Sequence, residues 1–199
     1  MNVYLICNNM LSDSINYDNI LNIEDKKTLR PLSIEGVKFS KKINNIKVDK
    51  IVSSTYISCI ESAKYLSEKL NINIELNKKL YDCKIGEIEK QSIKMLSYFQ
   101  EHDFDYKLVG GESINECSKR VENVIDASTS NDENVALFLP RKAILCYLTK
   151  ICEVGYNLDE KLVLTFNDEI IMEPIEKDIE VIKLSLNESL VVEKMEIGE

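Results

Sequence analysis

Asp49-Lys50-Ile51-Val52-Ser53-Ser54-Thr55-Tyr56-Ile57-Ser58-Cys59-Ile60-Glu61-Ser62-Ala63-Lys64-Tyr65-Leu66-Ser67-Glu68-Lys69-Leu70 is the stretch on which the fold turns. Its first five residues form a short β-prone run, and Ser-Ser-Thr breaks it. From residue 56 to 70, Ile57, Ile60, Ala63, Leu66 and Leu70 recur at spacings of three and four, which predicts an amphipathic helix. A strand passing directly into such a helix is the half-unit of a parallel sheet.

The same alternation extends in both directions. Upstream, residues 2–7 (Asn-Val-Tyr-Leu-Ile-Cys) read as a buried strand. A polar stretch of about 25 residues follows, loop or partly helical. Ser33 then caps a helix expected within 32–45, with Val37, Phe39 and Ile43 on one side. Downstream come a strand at 73–76, an irregular segment at 80–90, and a helix and loop over 91–108 holding His102. A turn at 110–113 leads into a helix at 114–128, with Val121, Val124 and Ile125 facing inward. Val135–Leu139 is an apolar strand, and 141–153 reads as helical. The end of the chain changes character, with strands at 162–166, 170–175, 179–186 and 189–195. The expected fold is α/β, a three-layer α/β/α sandwich with a mostly parallel central sheet finished by antiparallel strands.

Composition limits what this fold can do. At 199 residues, with 44% hydrophobic and 30% charged, the chain is sized for one domain with a full core. Lys+Arg 25 against Asp+Glu 34 gives a net charge of −9, which repels nucleic-acid backbones. The longest apolar runs fall far short of the roughly 20 residues a membrane helix needs, and no leader pattern opens the chain. The expectation is a cytoplasmic protein with neither nucleic-acid nor membrane partner. Six cysteines (7, 59, 83, 117, 146, 152) include no CxxC pair, and His102 is the one histidine, so no zinc-finger spacing can be written. They read as reduced thiols, several of them buried, with no metal or cofactor expected.

The order of short motifs resembles the histidine phosphatase superfamily, in its phosphoglycerate-mutase-like branch. Leu32-Ser33-Ile34-Glu35-Gly36 resembles that family's Leu-Thr-x-x-Gly helix start, and Ser53 to Ala63 its Ser-Ser-Pro-x-x-Arg-x-x-x-Thr-Ala segment. Leu80-Tyr81-Asp82 with Gly86 is similar to the family's Leu-x-Glu…Gly loop. Gly110-Gly111-Glu112-Ser113 matches its Gly-Gly-Glu-Ser turn, and 135–139 the strand that ends in a second His-Gly. The resemblance spans about residues 2–190. It implies a single phosphoglycerate-mutase-like domain over 1–199, with a cap-like segment at about 88–112.

The departures fall on the chemistry. Where the family has Arg-His-Gly, this chain has Cys7-Asn8-Asn9; the next arginine position is Ser58, the loop glutamate is Asp82, and the second histidine aligns with Pro140. The implied mechanism attacks phosphorus with an imidazole nitrogen, steadies the oxygens with two arginines and a second histidine, and protonates the leaving group with a carboxylic acid. Asn8 has no nucleophilic lone pair, Ser58 lacks the guanidinium fork, and Pro140 offers no donor. Losing one such donor typically costs ~100- to 1,000-fold. The expectation is therefore a pseudoenzyme that binds an unknown small molecule or protein, with oligomeric state left open. Asn8, Ser54, Ser58, Asp82, Ser113 and Arg141 are the candidates for residual ligand binding. The alternative is a hydrolase rebuilt around Cys7 or Asp82. A third reading has Met10 and Leu11 plugging the pocket. His102, flanked by Glu101 and Asp103, is expected in solvent.

Overall fold

The computed structural model describes residues 1–13, 23–43, 45–87, 93–174, 178–187 and 189–196. Strand β1 (Asn2–Asn8) lies inside a six-stranded sheet. Around it stand β2 (Lys50–Ser53), β3 (Ile74–Leu76), β4 (Val135–Phe138), β8 (Ile179–Leu186) and β9 (Leu190–Met195), in the order β3-β2-β4-β1-β8-β9. The first four run parallel; β8 is antiparallel to β1, and β9 to β8. Period-two alternation along β1 feeds two cores. Val3, Leu5 and Cys7 pack with α5 (Ile114–Ser128) and α6 (Arg141–Leu148), whereas Tyr4 and Ile6 pack with Cys59, Ala63 and Leu66 of α3 (Ile57–Leu70). The three layers are as expected.

Several boundaries differ from the sequence reading, each for a local reason. The expected 141–153 helix stops at Leu148; residues 149–152 turn, and Glu153–Tyr156 forms β5. With β6 (Leu162–Phe166) and β7 (Glu169–Met172), β5 builds a separate three-stranded antiparallel sheet, so these strands do not extend the central one. The strand expected at 170–175 ends at Met172, and its last residue lies outside the described residues. The helix expected in 32–45 is α2 (Ile34–Ser40), capped by Ser33 as anticipated. Its buried face is Gly36 and Ser40, not Val37 and Phe39, which are half-buried. A Cβ on Gly36 would sit 2.5 Å from the Met10 carbonyl oxygen, so glycine lets α2 touch the chain after β1. Within the polar stretch, α1 (Ile23–Leu29) forms, and residues 14–22 lie outside the described residues. Helix α4 (Ile93–His102) follows residues 88–92, which also lie outside them.

The Gly-Gly-Glu-Ser turn is explained by backbone contact. Gly86 has φ +81°, and a Cβ there would lie 2.6 Å from Gly111 N and the Val109 carbonyl oxygen. Gly110 is also left-handed, at φ +73°. Ser113 then caps α5 in a reciprocal box with Glu116.

Candidate functional site

A cleft of about 940 Å³ opens beyond the carboxyl ends of β1 and β4, against the first turns of α3 and α6. This is the end of a parallel sheet at which such folds place ligands. Cys7, Asn8, Ser58, Asp82, Pro140 and Arg141 all line it; Ser54 and Ser113 do not. Ser54 is fully buried, its N–H donating to Phe138 O, and the Ser113 hydroxyl accepts the Glu116 N–H as a helix cap. Met10 and Leu11 form part of the wall and leave the cleft open, which removes the plugged-pocket reading. No described residue of α4 or of the stretch to Glu112 lines the cleft. His102 is exposed on α4, its ring stacked on Tyr156 at 4.9 Å.

Asn8 is almost fully buried, and its amide is used up by the scaffold. Its Nδ2 donates to Gly36 O (2.9 Å) and Ser40 Oγ (3.0 Å), and its Oδ1 accepts the Met10 N–H. Pro140 stands at the N-cap of α6, where its carbonyl accepts the Ala143 and Ile144 N–H groups. Ser58 opens α3 and is buried at the cleft wall.

The register of β1 against β8 places Cys7 directly opposite Glu180. The thiol lies 3.6 Å from Glu180 Oε2, and burial, reinforced by that carboxylate, pushes its pKa well above the ordinary range. A thiol so held is not a thiolate nucleophile at neutral pH. Glu180, with no exposed side-chain surface, is neutralised by Arg141, whose Nε donates to it at 2.5 Å. Arg141 Nη2 also donates to Glu173 O at 2.6 Å. Arg141 thus spends its charge on the fold, a role the sequence reading did not assign to it.

Asp82 reaches the cleft from the loop after β3. Its Oδ2 pairs with Lys27 Nζ at 2.6 Å, and its Oδ1 accepts the Cys83 N–H. Tyr56 Oη accepts the Asp82 N–H, and burial together with Asp82 raises the Tyr56 phenol. Behind the loop, Arg120 donates twice to Glu112 at 2.8 Å and reaches the carbonyls of Lys79, Tyr81 and Asp82, with Tyr81 under its guanidinium. Burial works against the Glu112 charge, yet Arg120 holds its carboxyl below the usual range. Glu112 therefore braces the Asp82 loop rather than sitting in the first turn of α5.

Sequence reasoning missed Lys26, Lys27 and Arg30 of the α1 region, and Glu180. The Lys26-Lys27…Arg30 run inside a polar stretch, and one glutamate inside the apolar strand Ile179–Leu186, were the available signals. With Arg141 and Lys142 they give the cleft five cationic side chains against Asp13, Asp82 and Asp178 in its lining. Arg30 pairs with Asp13; among the described residues Lys26 and Lys142 make no ion pair.

The chain belongs to the histidine phosphatase superfamily (branch 1), whose family model matches residues 32–172. Solved structures share the fold across nearly the whole chain. A mycobacterial glucosyl-3-phosphoglycerate phosphatase complexed with inorganic phosphate superposes with a TM-score of 0.65 at 12% identity, covering 98% of this chain and 95% of that one. The alpha-ribazole phosphatase of Shigella flexneri gives 0.62 at 14%, covering 94% and 92%. A putative alpha-ribazole-5'-P phosphatase of Escherichia coli gives 0.61 at 14%, covering 98% and 96%. No curated protein matches the chain. No helix among the described residues is long and apolar enough to cross a membrane.

Proposed function

We propose that this chain is a histidine-phosphatase-like protein that has given up phosphohistidine catalysis and acts by binding a small anion in the open cleft. The carrying observation is Asn8. It occupies the end of β1, where the resembled mechanism needs an imidazole, and its amide is committed to Gly36, Ser40 and Met10. The chain's one histidine is on α4 and does not line the cleft. Lys26 and Lys142 line that cleft without an ion pair among the described residues, in a protein of net charge −9, which favours an anionic ligand. Six free cysteines suit a reducing compartment, so we assign the protein to the cytoplasm.

The test is turnover of a generic aryl phosphate by the wild type beside Cys7→Ala and Asp82→Ala, with calorimetric titration of inorganic phosphate. The expected result is no turnover above the variants, and phosphate binding that Lys142→Ala weakens several-fold. Turnover by the wild type that either variant abolishes would overturn the reading in favour of a rebuilt hydrolase.

A further inference from the structure

We propose that Cys83, Cys117 and Cys146 form a binding site for a thiophilic d10 cation, zinc(II) or copper(I). The three thiols come from separate elements: the loop after Asp82, the first turn of α5, and α6. All are buried, at 5%, 0% and 0% exposure, and their sulfurs lie within 4.8 Å of one another. Three thiolates on one ion, at metal–sulfur bonds of roughly 2.3 Å, stand about 4 Å apart, so the trio needs only a small contraction. Their wide separation along the chain hides this convergence from any reading of cysteine spacing.

The donor set selects the ion. An all-sulfur site with neither carboxylate nor imidazole suits soft cations and rejects magnesium or calcium. Binding converts three thiols and one cation into a three-thiolate complex and three released protons, with no change of oxidation state. The complex carries net negative charge, and a cation is already aimed at it. Arg120 Nη2, partly buried, donates to Cys117 Sγ at 3.2 Å while also pairing with Glu112. Because Asp82 Oδ1 accepts the Cys83 N–H, a bound ion would also fasten the Asp82 loop to α5 and α6.

The experiment titrates reduced, oxygen-free wild-type protein with zinc(II), and separately with copper(I), each against a competing chromophoric chelator. One equivalent of one ion per chain is expected, and the two arms identify which. Affinity should fall at least tenfold in Cys83→Ser and Cys146→Ala, and be unchanged in Cys152→Ser. X-ray absorption of the loaded wild type should show a first shell of about three sulfurs near 2.3 Å, a readout independent of how the variants fold. Uptake of neither ion above the Cys83→Ser level overturns the proposal, as does a shell dominated by nitrogen or oxygen. Oxidation that joins two of the three sulfurs, in a protein that takes up no ion when reduced, also overturns it.

Discussion

Glu180 and Arg141 hold opposite charges against the floor of the cleft, and neither tolerates losing the other. Glu180→Gln leaves a guanidinium only 12% exposed without its counter-charge, and should lower stability by about 3–5 kcal/mol in denaturant unfolding. The same substitution removes a carboxylate that, after burial, does most to raise the Cys7 thiol, so Cys7 should react faster with a small alkylating reagent. That pair also marks how far the site was legible. Cys7, Asn8, Ser58, Asp82, Pro140 and Arg141 reach the cleft because they stand at strand ends or the turns that follow, positions an α/β pattern makes readable. Ser54 and Ser113 fail because a motif match does not say which way a hydroxyl turns. Glu180 and Lys27 were invisible as partners, since their contacts depend on an antiparallel register and on the docking of α1, both set by distant chain.

Between elements, the tightest joint is backbone on backbone. Residues 84–87 run beside 109–112, joined by Glu87 N to Val109 O and Glu112 N to Lys84 O. Gly86→Ala combines a left-handed φ with a Cβ at 2.6 Å from two backbone atoms, and should cost about 3 kcal/mol. Gly110→Ala carries the left-handed φ alone, with nothing within 4 Å, and should cost about 1 kcal/mol. Thermal unfolding of the two variants side by side checks the ordering. At α2 the same logic links element to site. Gly36→Ala drives a methyl into the Met10 carbonyl, displaces the segment that Asn8 anchors, and should weaken phosphate binding while α2 persists by circular dichroism. Helices and strands with clean periodicity, α3, α5, β1 and β4, were legible to within a residue or two. The misreadings came where apolar composition admits both helix and strand, as in 149–156, or where a glycine contact outweighed side-chain pattern, as in α2.

For the molecule as a whole, acid is the condition that tests its carboxylate scaffold. Glu112 has a folded pKa held below its ordinary value of 4.5. Its contribution is therefore complete above that value and is lost as pH falls through the lower folded one. The unfolding midpoint should stay nearly level through the weakly acidic range and drop below about pH 4.5. Glu112→Gln should lower the neutral midpoint and flatten that acid limb; an unchanged limb would show that other carboxylates dominate. One feature of the sheet bears on biosynthesis as well. Strand β1 leaves the ribosome well before its neighbour β8, which pairs with it across more than 170 positions, Cys7 facing Glu180. At roughly 5–20 residues per second, the nascent chain carries Arg141 for seconds before its counter-charge exists. The parallel strands can assemble in that interval, but the cleft floor closes only when β8 arrives, so the binding site matures after the strands that frame it.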